Sequence, residues 1–374
     1  NSRFASSIGE YYYLNRVFKG LSGLVRAGIP SVKITPERTN TWNLGLDVAM
    51  FNNRLTFSLD YFDSRSKDLI MPVTISSVYG TDCMYRNLGE VSNKGIEFGA
   101  QLALIQNRDF KWYVGGTIST NKNEVKSLGG ENSMILSMSD GSAVISEVGQ
   151  PLYSFYGYQT DGVFATDDAV VAAGKDGQAL TNAIGVAFAA GDMRFVDQNG
   201  DGKIDKEDRV NLGNALPDFY GTFYTNFQYK GLAVSAVFGY SKGNKMYNAV
   251  RRTMESMSDF SNQLTSVTRR WMYEGQITDI PRAVYGDPME NSRFSDRWIE
   301  DASYLKLKEL MVSYKFNLFA GTTVFVAAEN LFTATKYLGM DPETMYSYDS
   351  SMRGFDYGKI ASPRTVKLGF KVQF

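Results

Sequence analysis

The segment DQNGDGKIDKED, residues 197–208, has residue types and spacing that could do defined chemistry. It fits a 12-residue calcium loop. Asp197, Asn199 and Asp201 stand at positions 1, 3 and 5, so alternate side-chain oxygens would turn toward one ion. Gly202 at position 6 allows the sharp turn. Lys203 would offer its main-chain carbonyl at position 7, and Asp205 its carboxylate at position 9. Asp208 stands at position 12, where such loops use Glu. The shorter side chain reaches less far, which implies modest calcium affinity and competition from magnesium. No nucleophile or base lies among these residues, so a bound ion would stiffen the loop. The alternative is an acidic, Gly-rich turn without an ion, because Asp and Asn favour such turns by themselves.

Composition removes most other chemistry. The 374 residues contain no histidine and one cysteine, Cys83. A Ser-His-Asp or Cys-His pair cannot be built, nor a Cys/His zinc site, nor an internal disulfide or CxxC redox site. With 39 basic and 40 acidic side chains the net charge is -1, which gives no field for bulk binding of nucleic acid. Carboxylate-pair hydrolysis stays open in principle, but no pair of acids is singled out and no enzyme activity is expected. The aromatics Tyr153, Phe155, Tyr156 and Tyr158 (YSFYGY) could stack on the sugar rings of a substrate. A small core within their own loop explains them equally well. Arg251, Arg252, Arg269 and Arg270 could hold an anionic group, although surface arginines are usually solvated or salt-bridged. Arg297, Glu300, Asp301, Lys306 and Lys308 read as rim or lumen charges.

The elements that must position these residues are strands. Residues 365–374 read TVKLGFKVQF and end on Phe374, with Val366, Leu368, Phe370, Val372 and Phe374 on one face. The same period of two runs through 54–61, 94–104 and 110–118. Similar strands are readable near 41–51, 218–229, 231–240, 302–316 and 321–332. That makes about nine strands of roughly 10–12 residues, or ten if Tyr11-Tyr12-Tyr13 belongs to another. Short turns at 52–53, 106–109, 230–231 and 317–321 alternate with long segments at 64–93, 121–217, 241–301 and 333–361. In an antiparallel meander every second turn lies at the same end, so one end is trimmed and the other elaborated. A soluble antiparallel sandwich also alternates. Strand length, aromatics near strand ends (Trp42, Tyr61, Tyr113, Tyr220) and the terminal Phe374 favour the wall of a membrane barrel. No run of about 18 apolar residues suggests a membrane helix. Too few strands are present for large loops of this kind, and an open edge is not tolerated in lipid. The missing strands must come from elsewhere. Asn1-Ser2-Arg3 has no initiator Met and no signal segment, the pattern of a processed chain or a fragment.

Six collinear stretches resemble the SusC/RagA family of TonB-dependent outer-membrane transporters of Bacteroidetes. They are TWNLGLDVAMFNNRLTFSLDYFDSRSKDLI (41–70), NLGEVSNKGIEFG (87–99), GDMRFVDQNGDGKIDKEDRVNLGNALPDFYGTF (191–223), SDRWIEDASYLKLKELMVSY (295–314), VAAENLFTATKYLGMDPE (326–343) and ASPRTVKLGFKVQF (361–374). The resemblance implies an all-β fold: residues 1–374 as the C-terminal part of an antiparallel transmembrane barrel of about 22 strands with long extracellular loops. The longest loop, 121–217, would carry the calcium-like segment. Plug and N-terminal domains are not readable in the chain. Asn330-Leu331-Phe332 and Asp341-Pro342-Glu343 are family hallmarks, read as strand-end and loop geometry. The resemblance further implies import of oligosaccharides or peptides across the bacterial outer membrane. Its implied partners are membrane lipid, a SusD-like surface lipoprotein, the remaining N-terminal barrel and plug, and TonB through that N-terminal region. The other reading open at this point is a soluble calcium-binding β-sandwich, an adhesin or glycan-binding module.

Overall fold

The structure is a computed structural model that describes residues 13–18, 21–26, 29, 31, 34–76, 78, 83–316 and 321–372. Phe374, Tyr11, Tyr12 and most of the turn at 317–321 lie outside the described residues. In chain order the strands are β1 (Tyr13–Phe18), β2 (Leu21–Arg26), β3 (Arg38–Met50), β4 (Leu55–Thr74), β5 (Cys83–Gln106), β6 (Phe110–Ser119), β7 (Lys122–Leu128), β8 (Ser133–Ser137), β9 (Ala143–Glu147), β10 (Ser154–Tyr158), β11 (Thr160–Val163), β12 (Thr181–Asn182), β13 (Met193–Phe195), β14 (Lys203–Ile204), β15 (Arg209–Gly213), β16 (Phe219–Tyr229), β17 (Leu232–Lys242), β18 (Lys245–Asn248), β19 (Ile299–Asp301), β20 (Tyr304–Phe316), β21 (Thr322–Thr335), β22 (Phe355–Asp356) and β23 (Thr365–Val372).

A ten-stranded sheet forms the wall, in the order β23-β21-β20-β17-β16-β6-β5-β4-β3, with β7 also paired to β5. Neighbouring strands of the wall pair antiparallel. Each segment with a period of two falls in one of these strands. Register brings the apolar positions into continuous rows. One row runs Val48, Phe57, Ala100, Gly116, Phe223, Phe238, Leu307, Phe332. Another runs Val234, Val312, Val326, Leu368. The rings of Phe223 and Phe238 stack at 4.4 Å. This apolar face is open: Leu44 is 75% exposed and Phe370 77%. A soluble sandwich would cover such a face with a second sheet. The opposite face carries Asp47, Asp60, Glu97, Gln101, Tyr224 and Lys367.

Tight turns explain one end of the wall. Phe51, Asn52 and Asn53 all have positive φ, which Asn tolerates better than most residues, and they close β3 onto β4. The other end differs from the expectation. The segment 64–93 is largely strand, because β4 is 20 residues long and β5 is 24. At about 3.3 Å per residue these strands stand well above a bilayer crossing. Asp68, at φ 57, sits in a register shift between Ser66 and Leu69. The shift breaks the alternation, so the continuation of the strand did not show as a period of two.

The segment 121–217 is also more than a loop. After β7 it builds a four-stranded sheet, β15-β10-β9-β8, and two smaller pairings, β11-β13 and β12-β14. One core joins Val144, Phe155 and Leu212 to Tyr247, Phe294, Trp298 and Phe355 from the two later loops. A second gathers Phe164, Leu180, Phe188, Phe195 and Ile204 with Met289. The three long connections therefore fold together into one assembly at one end of the wall.

The two faces make opposite predictions. In the full-length protein refolded into lipid vesicles, Val312→Lys should lower stability by about 2–4 kcal/mol. Ser313→Lys, one residue on and facing the other way, should leave urea unfolding nearly unchanged. Equal losses would mean that the apolar face does not meet lipid.

Candidate functional site

The loop assembly folds over the polar face of the wall. Strand alternation puts Val91 on the same face as Asn93 and Glu97. Val91 packs there with Val125, Leu128 and Met71 in a buried cluster that also touches Met134 of β8. At the other side of the wall, Lys306 pairs with Gly239 and faces the same way. Its ammonium is buried and reaches Asp341 at 3.0 Å and Glu343 at 2.8 Å. Lys308 pairs with Glu343 as well, and the Tyr304 hydroxyl donates to that carboxylate at 2.6 Å. Gly239 lets Lys308 lie flat, since a Cβ there would come within 2.8 Å of its Cε. Burial works against the charge of Glu343, but its hydrogen bonds to Lys306, Lys308 and Tyr304 outweigh that and hold its carboxyl below the ordinary glutamate range. The Asp341-Pro342-Glu343 motif is thus more than loop geometry. Its two acids pin the connection after β21 to the inner wall.

Buried charges fasten the loops to one another. Asp140, at the turn between β8 and β9, accepts from the hydroxyls of Tyr247 at 3.1 Å and Tyr357 at 3.0 Å. Arg252 lies 3.6 Å away. One carboxylate therefore ties three connections together. Burial alone would raise its pKa, yet the Ser142, Tyr357 and Tyr247 donors leave it lowered. Burial likewise pushes the Tyr357 hydroxyl up to about 12, so it remains a donor. Glu255, from the short helix Ala249–Glu255, binds Arg251 at 3.3 Å, Arg297 at 3.0 Å and the Ser266 hydroxyl at 2.7 Å. Arg251 also reaches Glu300 at 3.1 Å, and both arginines lie over the ring of Trp298. Asp192 receives Arg282 in a two-point fork at 2.9 and 3.0 Å.

The residues singled out in the sequence fall into this frame as follows. In the 197–208 segment, Asp197 accepts the N–H groups of Gly200 and Gly202, each at 2.8 Å. Asn199 accepts from Asp201, Asp201 from Lys203, and Asp205 from Glu207. Asp208 is wholly buried and accepts from Gln198 and Asp205 on its two oxygens. Burial raises its pKa despite those two donors. Lys203 opens β14, whose Ile204 enters the second core. The side chains so arranged serve their own backbone. Among the described residues no group of three or more acids, cysteines or histidines converges as an ion cage.

The four aromatics separate. Phe155 is 0% exposed and forms part of the first core, so it offers no face to a sugar. Tyr153 packs against the same core, and Tyr158 against the second. Tyr156 and Tyr158 are covered by Arg209 and Arg293 at 5.1 and 4.9 Å. The loop's own core accounts for this run. Arg251 is paired with Glu255 and Glu300, Arg252 with Asp140, the Tyr247 hydroxyl and the main-chain carbonyls of Ser292 and Asp140, and Arg269 has an exposed contact with Asp279 at 3.9 Å. The hubs Asp140 and Asp192 gave no signal in the sequence. For the wall anchor, the sequence names Lys306 and Lys308 as rim or lumen charges and Asp341-Pro342-Glu343 as loop geometry, without joining the two.

Comparison with known proteins agrees with this architecture. Residues 4–331 match the family described as TonB dependent receptor-like, beta-barrel. TonB-dependent receptor P3 of Formosa agariphila is 30% identical over 95% of this chain and 36% of its own length. TonB-dependent receptor SusC of Bacteroides thetaiotaomicron is 27% identical over 90% of this chain and 32% of its own. The chain thus spans about a third of these relatives. A solved structure described as the RagAB peptide transporter superposes with a TM-score of 0.76 at 23% identity, over 97% of this chain and 38% of that one, and supports the fold.

The Lys306 anchor can be tested directly. Lys306→Met leaves Asp341 buried and unpaired, which should cost about 3–5 kcal/mol locally. Hydrogen exchange across 336–361 in the full-length protein should accelerate accordingly. Lys308→Met, at a half-exposed site, should change it by less than about 1 kcal/mol.

Proposed function

Because the chain belongs to the TonB-dependent receptor-like β-barrel family, whose members reside in the bacterial outer membrane, we propose that it forms wall and extracellular loops of a SusC-like importer. The carrying observation is the two-faced wall, apolar outside and polar inside, with a folded assembly of loops seated on its polar side. In this reading the apolar face meets lipid and the polar face lines a passage. The sheet edges β3 and β23 are completed by strands from the remaining barrel. The cargo is an oligosaccharide or peptide too large to diffuse through a porin. A SusD-like lipoprotein covers the outer mouth, and TonB supplies energy through the N-terminal region and plug. The chain makes and breaks no bond; containment and selection are its work. The collinear family motifs support this reading.

Deletion of the parent gene should abolish uptake of one labelled oligosaccharide or peptide class by whole cells, and so should collapse of the proton gradient. Recovery of the parent protein in the soluble fraction without detergent would sink the reading.

Calcium at 197–208 is a separate proposal, supported by the alternating oxygens at Asp197, Asn199 and Asp201. Calorimetry on the intact transporter decides it: calcium heat that Asp201→Ala abolishes supports a bound ion, and no such heat rejects it.

A further inference from the structure

Strand β8 is the outer strand of the sheet β15-β10-β9-β8. Its register with β9 pairs Ser133 with Glu147 through Ser137 with Ala143. The flanking bonds from Val148 N–H to Asn132 C=O and from Met138 N–H to Ser142 C=O set the phase. In an antiparallel pair the bonded residues alternate. Asn132, Met134, Leu136 and Met138 therefore face β9. Ser133, Ile135 and Ser137 direct their N–H and C=O groups outward, and these groups have no partner among the described residues.

Exposed edges in soluble surfaces are commonly guarded by Lys, Pro, a bulge or a covering segment. This one reads SMILS, without charge or proline, and runs in unbroken register. It is also held rigid. Met134 packs on the cluster of Val91 and Val125 at the inner wall, and Leu136 packs on the first core. The side chains of Ser133, Ile135 and Ser137 are exposed, small or apolar, and impose no charge on a neighbour. The edge thus lies beside the polar face of the wall. The chemistry complementary to alternating N–H and C=O groups at strand spacing is another extended polypeptide backbone.

We propose that β8 takes up an extended peptide in transit as an added fifth strand, recognised through its backbone rather than its side chains. This rests on the transporter reading and deepens it by naming peptide as a cargo class and Ser133–Ser137 as a docking edge. Recognition of this kind tolerates many sequences. It requires free amides on one edge of the cargo.

The test uses the full-length transporter in detergent and two fluorescent ten-residue probes of alternating valine and threonine. One probe is unmodified; the other is N-methylated at every second residue, which blocks one edge. The unmodified probe should bind, and the methylated one at least tenfold more weakly. Ile135→Pro removes an outward N–H that makes no bond inside the sheet, so the fold should survive. It should weaken the unmodified probe at least tenfold, whereas Ser137→Ala should not. Thermal melting of each variant confirms folding. Equal binding by wild type and a folded Ile135→Pro variant overturns the proposal. So does absence of probe binding, or a photocrosslink from position 137 that lands within the same polypeptide. Loss of whole-cell uptake on gene deletion would still stand in those cases, which separates failure of this site from failure of the transporter reading.

Discussion

In a wall that meets lipid, the backbone must satisfy itself, and everything else here follows from that constraint. Every strand must pair with a neighbour, and the pairing must keep each apolar side chain on one face. A slip of one residue in any strand would carry its whole apolar set onto the opposite, polar face. The row from Val48 through Phe223 and Phe238 to Phe332 shows register kept across eight strands. Shifts occur near the ends of the crossing, as at Asp68 in β4 and at Asn330, whose φ of 54 marks the bulge opposite Lys308.

The loops answer a different problem. They are polar enough to live in water, yet they are held over the inner wall rather than splayed above it. Two apolar cores supply bulk, and buried ions supply direction. Lys306 needs both Asp341 and Glu343, because an ammonium so enclosed is costly without nearby counter-charge. Asp140 and Asp192 act similarly, each joining connections far apart in the chain, while Glu255 gathers Arg251, Ser266 and Arg297 within the single connection 241–301. Since removing one partner of such a pair costs more than the pair contributes over an apolar substitute, these sites specify arrangement more than they add stability.

Such an arrangement also bears on the proposed transport. Loops fixed by several buried charges move as a body more readily than piecemeal, because opening one pair leaves its partner unsolvated. The edge of β8, unpaired among the described residues, lies on the same body, close to the wall it covers. A cargo that docks there would be carried with the assembly instead of being held by an independent flap.

The order of the strands, their two faces and the end that carries long loops were legible from the amino-acid sequence, because a period of two is local and needs no knowledge of partners. The extension of β4 and β5 was not legible, since the bulge at Asp68 interrupts the period that would have announced it. The 197–208 spacing was legible as a pattern, but only the fold shows Asp208 buried and capped by two backbone amides. The aromatic run from Tyr153 to Tyr158 was legible as a cluster, and burial decided that Phe155 belongs to a core. What the sequence by itself determined is therefore the wall. Only the tertiary structure decided where the loops go, because their fastenings link residues as distant as Asp140 and Tyr357, 217 positions apart. No local pattern can encode which of 40 acids will meet which of 39 bases once the chain has folded.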